Sequence, residues 1–196
     1  MRKFALIPSA CAALLFTTFA HAQQVDVAVG VGILLSTKNL NASDAFLPPA
    51  EKGGLYPSFS IDRIFADHFG YSAELATSYK HEVYNFYQDY RPIFYDVNGV
   101  FAPHVAKRMD ADLMAGLGGE RLLFYSPGNC LYATGCSTTL NSNHFLIDLG
   151  ADLRYRIWRH FFIRPEVHLY HIVNNVEFHS DNVLRVGGSL GYRFGK

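Results

Sequence analysis

Apolar and polar residues alternate in this chain with a period of two, over stretches longer than the strands of ordinary globular proteins. In "LRVGGSLGYRFGK", residues 184 to 196, Leu184, Val186, Leu190, Tyr192 and Phe194 share one phase, while Arg185, Ser189 and Arg193 share the other. Successive side chains of a strand point to opposite faces, so one face of this segment is apolar and the other polar. In all, eight segments read as strands: about 24 to 35, 54 to 65, 69 to 80, 91 to 105, 110 to 124, 144 to 158, 161 to 173 and 182 to 194. Globular strands average roughly 5 or 6 residues. Most of these are long enough for the 9 to 11 or so that a tilted strand needs to cross a bilayer.

The links between segments alternate in length. "ADH", "AKRMD" and "RH" are short enough for tight turns, whereas "STKNLNASDAFLPPAEKGG", the region of "HEVYNFYQDY", "SPGNCLYATGCSTTLNSN" and "NNVEFHSD" are long. An even number of strands with short turns at one rim and long loops at the other is the plan of a bacterial outer-membrane barrel. The expected fold is therefore all-β, an eight-stranded antiparallel up-and-down transmembrane β-barrel. A soluble periplasmic barrel is the competing architecture. Beyond the N-terminal leader no stretch approaches the roughly 18 apolar residues of a transmembrane helix, and no helical stripe recurs.

Residues 1 to 22, "MRKFALIPSACAALLFTTFAHA", place Arg2 and Lys3 before an apolar run that ends in Ala20-His21-Ala22, the small-x-small pattern of a signal-peptidase site. The expectation is a cleaved Sec-type secretory signal over 1–22 and a barrel domain over 23–196, exported to the bacterial outer membrane.

Which phase faces outward is decided by the polar residues. The first segment sets Val25, Val27, Val29, Val31 and Ile33 against Asp26, Ala28, Gly30 and Gly32. The polar phases mix small residues with charges of both signs, and all six lysines, at 3, 38, 52, 80, 107 and 196, fall outside strand centres. A soluble barrel would carry long solvated residues across its strands, whereas small residues suit a narrow lumen. The polar phase is therefore expected inside, with an ion network drawn from Asp26, Asp62, Glu74, Asp96, Asp112, Asp148, Asp152, Arg154, Arg156, Arg164, Glu166, His168, Arg185 and Arg193. Such a network fills and fixes the barrel, since eight strands leave room only for side chains; gating of a proton or ion path is the sharper alternative. Tyr56, Tyr71, Tyr79, Tyr95, Phe101, Tyr155 and Tyr192 lie toward segment ends, where interfacial girdles belong. Arg63, Arg121 and His171 fall in the lipid phase; Arg63 can snorkel beside its turn, and a bulge at Gly118-Gly119 would reset the phase before Arg121.

Cys130 and Cys136 share the third long link of an exported chain, so a local disulfide is expected there, in preference to a metal site. No histidine cluster has metal-ligand spacing, and "GLGGE" precedes no helix; no cofactor or metal is expected. With 17 basic and 17 acidic residues the chain has no net field to attract nucleic acid. Glu177, His179, Ser180 and Asp181 in "EFHSDN" have the residue types of a Ser/His/carboxylate hydrolase, but adjacent His179 and Ser180 on a strand point apart, and no catalytic residue is assigned.

Signal peptide, eight alternating segments, alternating links and the closing "GGSLGYRF" together resemble the small outer-membrane β-barrel proteins, like the OmpA-type transmembrane domain. The resemblance implies that Leu190, Tyr192 and Phe194 form a terminal signal read by the barrel-assembly machinery, although Gly195 and Lys196 follow the aromatic residue. It implies contact with outer-membrane lipid and lipopolysaccharide, and an extracellular partner for the long loops. Three functions are weighed: a structural or surface-interaction scaffold first, a narrow porin-like channel second, and a lipid-modifying hydrolase such as a lipid A deacylase third.

Overall fold

A computed structural model describes residues 24–36, 51, 53–65, 68–84, 88–125, 139–178 and 180–195. Its strands are β1 (Gln24–Ser36), β2 (Gly53–Phe65), β3 (Phe69–Thr77), β4 (Glu82–Tyr84), β5 (Gln88–Phe101), β6 (His104–Ala106), β7 (Met109–Tyr125), β8 (Thr139–Arg156), β9 (Phe161–Val173) and β10 (Asn182–Phe194). Eight of them close an antiparallel wall in the order β1-β2-β3-β5-β7-β8-β9-β10, with β10 pairing back onto β1. The expected fold is the observed one. The short β4 and β6 only extend hairpins at the two rims.

The register fixes the shape of the wall. Following partners from Asp26 through Asp62, Ser72, Asn98, Gly116, Asp148, Tyr170 and Val183 returns to β1 at Ser36, ten residues from the start. Such a stagger in an eight-stranded wall tilts the strands by about 40° and leaves an interior only side chains can fill.

Alternation does the rest. Val29, Val97, Leu117, Leu149 and Leu190 point outward and are exposed, on every side of the wall. Their partners in the other phase, such as Asp26, Asp148 and Arg185, are buried inside. The ladder between β8 and β9 is interrupted between the pairs Asp152 with Glu166 and Tyr155 with Ile163, where Pro165 has no amide hydrogen to donate.

The structure departs from the sequence reading in several places. β7 runs in unbroken register from Met109 to Tyr125 with β8, so there is no bulge at Gly118-Gly119. Arg121 is exposed on the outer face, at the long-loop end. The irregularity of the wall falls instead between Gly32 and Leu34, opposite Gly53 and Gly54, whose φ values of 81° and 73° suit glycine. Tyr56 faces inward and is buried, so it belongs to no external girdle. β8 begins at Thr139, and β4 pairs with the first residues of β5 inside the region read as an aromatic-rich loop. Residues 1–22 with their cleavage site, and Cys130 with Cys136, lie outside the described residues.

Candidate functional site

The interior is stacked in layers, each built by inward residues of several strands. Near the short-turn rim, Ile64, Val100, Ala102 and Met114 form a small apolar cluster. Above it lies an ionic layer centred on two arginines. Arg154 of β8 reaches Asp26 at 2.7 Å, Asp112 at 2.5 Å and Asp62 at 3.4 Å. Arg164 of β9 reaches Asp62 at 2.5 Å, Asp152 at 3.1 Å and Glu166 at 3.5 Å, while its other nitrogen donates to Ser60 Oγ at 2.6 Å. Asp62 thus bridges both guanidinium groups and also accepts from Ser72 Oγ at 2.5 Å. Nearer the rim, Arg193 donates to both oxygens of Asp26.

A second ionic group sits higher. Arg185 pairs with Glu74 and lies 3.4 Å from Glu166, which links the two groups. His168 stands 3.0 Å from Asp148 and 3.6 Å from Glu74. Asn98 donates to Asp96 at 2.7 Å and to Asp148 at 2.8 Å. Arg154 lies over the Phe162 ring and Arg185 over the Tyr170 ring, so each buried cation also has an aromatic face. Buried charges persist only when paired in this way. Arg156 is the outlying member: its side chain is partly exposed at the short-turn rim, 3.9 Å from Asp110.

Sequence reading missed Asp110, which is buried and meets His104 at 2.5 Å and Arg193 at 3.6 Å. It also missed the apolar plug above the ions, made by Leu34, Tyr56, Ala76, Phe94, Leu146, Tyr170, Ile172 and Val183. In the plug, Phe94 and Tyr170 stack with ring centroids 5.1 Å apart.

Above the plug, Glu51, from the end of the first long link, meets Glu120 of β7, and both are buried. Burial, and then the charge of Glu120, push the Glu51 carboxyl well above the usual carboxylate range. Beside them Glu177 stands 2.9 Å from His144 Nε2, and Ser142 Oγ stands 3.0 Å from the same nitrogen. A serine relay needs its serine and its acid on opposite nitrogens of the imidazole, so these three do not form one. Tyr90, Leu122, Phe124 and Phe178, with Tyr84 against them, close the long-loop end.

The described residues of "EFHSDN" are not brought together into a catalytic group. Glu177 is engaged by His144, and Ser180 Oγ donates to the Asn182 carbonyl at 2.9 Å in a local turn. Asp181 is exposed, and His179 lies outside the described residues. Among the described residues no group of His, Cys, Asp and Glu could hold a metal ion. Leu190, Tyr192 and Phe194 all point outward from β10, toward the short-turn end.

A charged interior inside an apolar exterior is the inverse of a soluble protein. The fold recurs in solved structures. Ail, the attachment invasion locus protein of Yersinia pestis, solved with the heparin analogue sucrose octasulfate, matches with a TM-score of 0.61 at 14% identity, covering 89% of this chain and 100% of its own. Neisserial surface protein A matches with a TM-score of 0.60 at 9% identity, covering 89% and 98%. A major outer membrane protein of Thermus thermophilus matches with a TM-score of 0.61 at 10% identity, covering 89% and 100%. The chain has the fold of the small eight-stranded outer-membrane barrels. No family model matches it, and no curated protein matches it in sequence. At such identities the small-barrel likeness concerns the fold, and what each barrel does rests on its own residues.

Proposed function

We propose that this protein is an exported outer-membrane barrel that acts as a structural or surface-interaction scaffold, displaying its four long links outside the cell around a closed interior. The observation that carries the reading is the filled lumen: apolar clusters lie at both ends, and buried ion pairs occupy the space between. A barrel blocked in this way offers its wall and its loops. The wall fits lipid and, at its long-loop end, lipopolysaccharide, whose phosphates the outward Arg121 could meet. The terminal pattern Leu190, Tyr192 and Phe194 would be read by the barrel-assembly machinery, and Cys130 with Cys136 would staple the third link.

Attachment is the role named for Ail, which supports surface contact as the use of such a scaffold. Its polyanionic ligand is not carried over, because the long links here hold Lys38, Lys52 and Lys80 against Asp44, Glu82, Asp89, Glu177 and Asp181. The channel reading is disfavoured by the apolar plug. The hydrolase reading is disfavoured by the scattering of Glu177, Ser180 and Asp181.

The test is fractionation followed by gel migration with and without heating in detergent, then conductance in a planar bilayer. Recovery in the outer membrane, a heat-dependent mobility shift and no steady conductance are expected. A soluble, unshifted protein would overturn the membrane reading, and ohmic conductance from the folded protein would overturn the closed scaffold.

A further inference from the structure

We propose that the short-turn rim is a binding surface for anionic phospholipid headgroups of the periplasmic leaflet, formed by two adjoining turns that set cations around a tryptophan. The inference rests on the membrane-spanning reading above.

The turn between β5 and β7 and the turn between β8 and β9 are in contact. Arg156 N donates to the Arg108 carbonyl at 2.9 Å, and the Arg156 side chain donates to the Lys107 carbonyl at 3.0 Å. This brings Lys107, Arg108 and Arg159, all exposed, to the same rim, with Arg156 between the two turns. No Asp or Glu occurs from residue 102 to 109 or from 156 to 161. Asp110 lies beneath this surface, buried and engaged by His104 and Arg193. The remaining short link carries Asp67, so the excess of cations belongs to these two turns.

Apolar side chains stand among the cations. Val105 is 58% exposed, Ile157 52% and Trp158 73%. The 157–160 turn is tight, with the amides of Ile157 and Trp158 both donating to the Phe161 carbonyl, so these side chains are held at the tip. Just above them the outer wall ends in aromatic rings: Phe161 packs on Tyr192 at 5.1 Å, Tyr192 on Phe194 at 4.7 Å, and His160 stacks on Tyr192 at 5.4 Å.

This sequence of surfaces matches one occupant. Aromatic girdles sit where acyl chains give way to headgroups, and an indole, apolar with one donor, settles at that depth. Cations one step further out lie at the level of the phosphates, where an anionic surface attracts each Lys or Arg. A soluble anionic polymer would satisfy Lys107, Arg108 and Arg159 but leave Val105, Ile157 and Trp158 in water. A neutral membrane would take the apolar residues and leave the cations without counter-charge.

Trp158 is the only tryptophan of the chain, so its fluorescence reports from this rim alone. The protein, purified from membranes of the expressing cell, is inserted into phosphatidylcholine vesicles containing equal mole fractions of either brominated phosphatidylglycerol or brominated phosphatidylcholine. Quenching by the brominated phosphatidylglycerol is expected to be at least about twofold stronger, and the excess is expected to vanish at high salt. A triple variant, Lys107→Gln, Arg108→Gln and Arg159→Gln, should lose the excess while keeping its heat-dependent gel shift. Equal quenching of the inserted wild type by both lipids would overturn the selectivity. An inserted barrel whose Trp158 neither lipid quenches would overturn the lipid surface and point to a soluble periplasmic partner. A protein that shows no heat shift and does not insert would remove the membrane reading and this inference with it.

Discussion

Arg154 of β8 and Asp26 of β1 meet inside the barrel at 2.7 Å, although β9 and β10 separate their strands in the wall. The same guanidinium also holds Asp112 of β7 and Asp62 of β2, so one side chain ties together carboxylates from three other strands. Removing it leaves buried Asp112 without its cation, while Asp26 keeps only Arg193 and Asp62 only Arg164. Arg154→Met should destabilise the barrel by about 3–5 kcal/mol, the cost of breaking a buried pair by deleting one partner. Arg154→Lys should recover only part of this, because an ammonium cannot fork to several acceptors. Arg121→Met, on the outer face, should change stability by less than about 0.5 kcal/mol. Urea titration of the heat-shifted gel band measures all three.

Tyr170 stacks on Phe94 and lies beneath the Arg185 guanidinium, while its buried hydroxyl has no hydrogen-bond partner among the described residues. Tyr170→Phe keeps the ring and removes a desolvated polar atom, so it should raise stability by about 1 kcal/mol. Tyr170→Ala opens the plug and should lower it by about 3–5 kcal/mol. A phenylalanine variant less stable than wild type by equilibrium unfolding would contradict this account of the plug.

Gly191 faces inward beneath Phe162, whose ring would lie 2.1 Å from an added Cβ. Because Phe162 supports Arg154, Gly191→Ala should push on the ionic layer and cost about 1–3 kcal/mol. Gly99 faces outward, with only the Ala115 carbonyl within reach, at 3.7 Å. Gly99→Ala should be neutral or slightly stabilising, and thermal unfolding in detergent separates the pair.

Glu51 supplies a pH signature. Its carboxyl is raised in the folded protein, so the folded state holds a proton that the unfolded chain releases above its ordinary value. Stability contributed at this position is therefore present at low pH and is lost as pH climbs from the ordinary carboxylate value toward the raised one. Glu51→Gln, permanently neutral, should be more stable than wild type at pH 8 and indistinguishable from it near pH 4. Melting curves at the two values check the sign; a variant that gains at acid pH would invert the assignment.

The barrel was legible because its exterior is apolar: alternation of Val29, Val31 and Ile33 with Gly30 and Gly32 admits no helical reading. Segment ends were less legible where the wall rises beyond the apolar band. Asn141, Ser142 and Asn143 of β8 are polar on both faces and carry no alternation to read. Glu120 was obscured by the supposed bulge, although Asp110, Asp112, Met114, Gly116, Gly118, Glu120 and Leu122 keep one inward phase without it. The plug was hidden for a related reason. Leu34, Leu146 and Ile172 occupy the inward phase of β1, β8 and β9, and hydropathy alone cannot separate an apolar lumen residue from an apolar wall residue. Glu51 comes from a link with no periodicity, so only folding could bring it to Glu120.

The seam between β1 and β10 joins the two ends of the chain, and Arg193 grips Asp26 across 167 positions of sequence. Within the wall β1 is therefore paired on one side only until β10 is in place, and a wall lacking β10 would expose two raw edges and an acid-rich interior without Arg185 and Arg193. Closure thus hangs on one seam, and until β10 pairs with β1 both edges stand open to pairing with another chain.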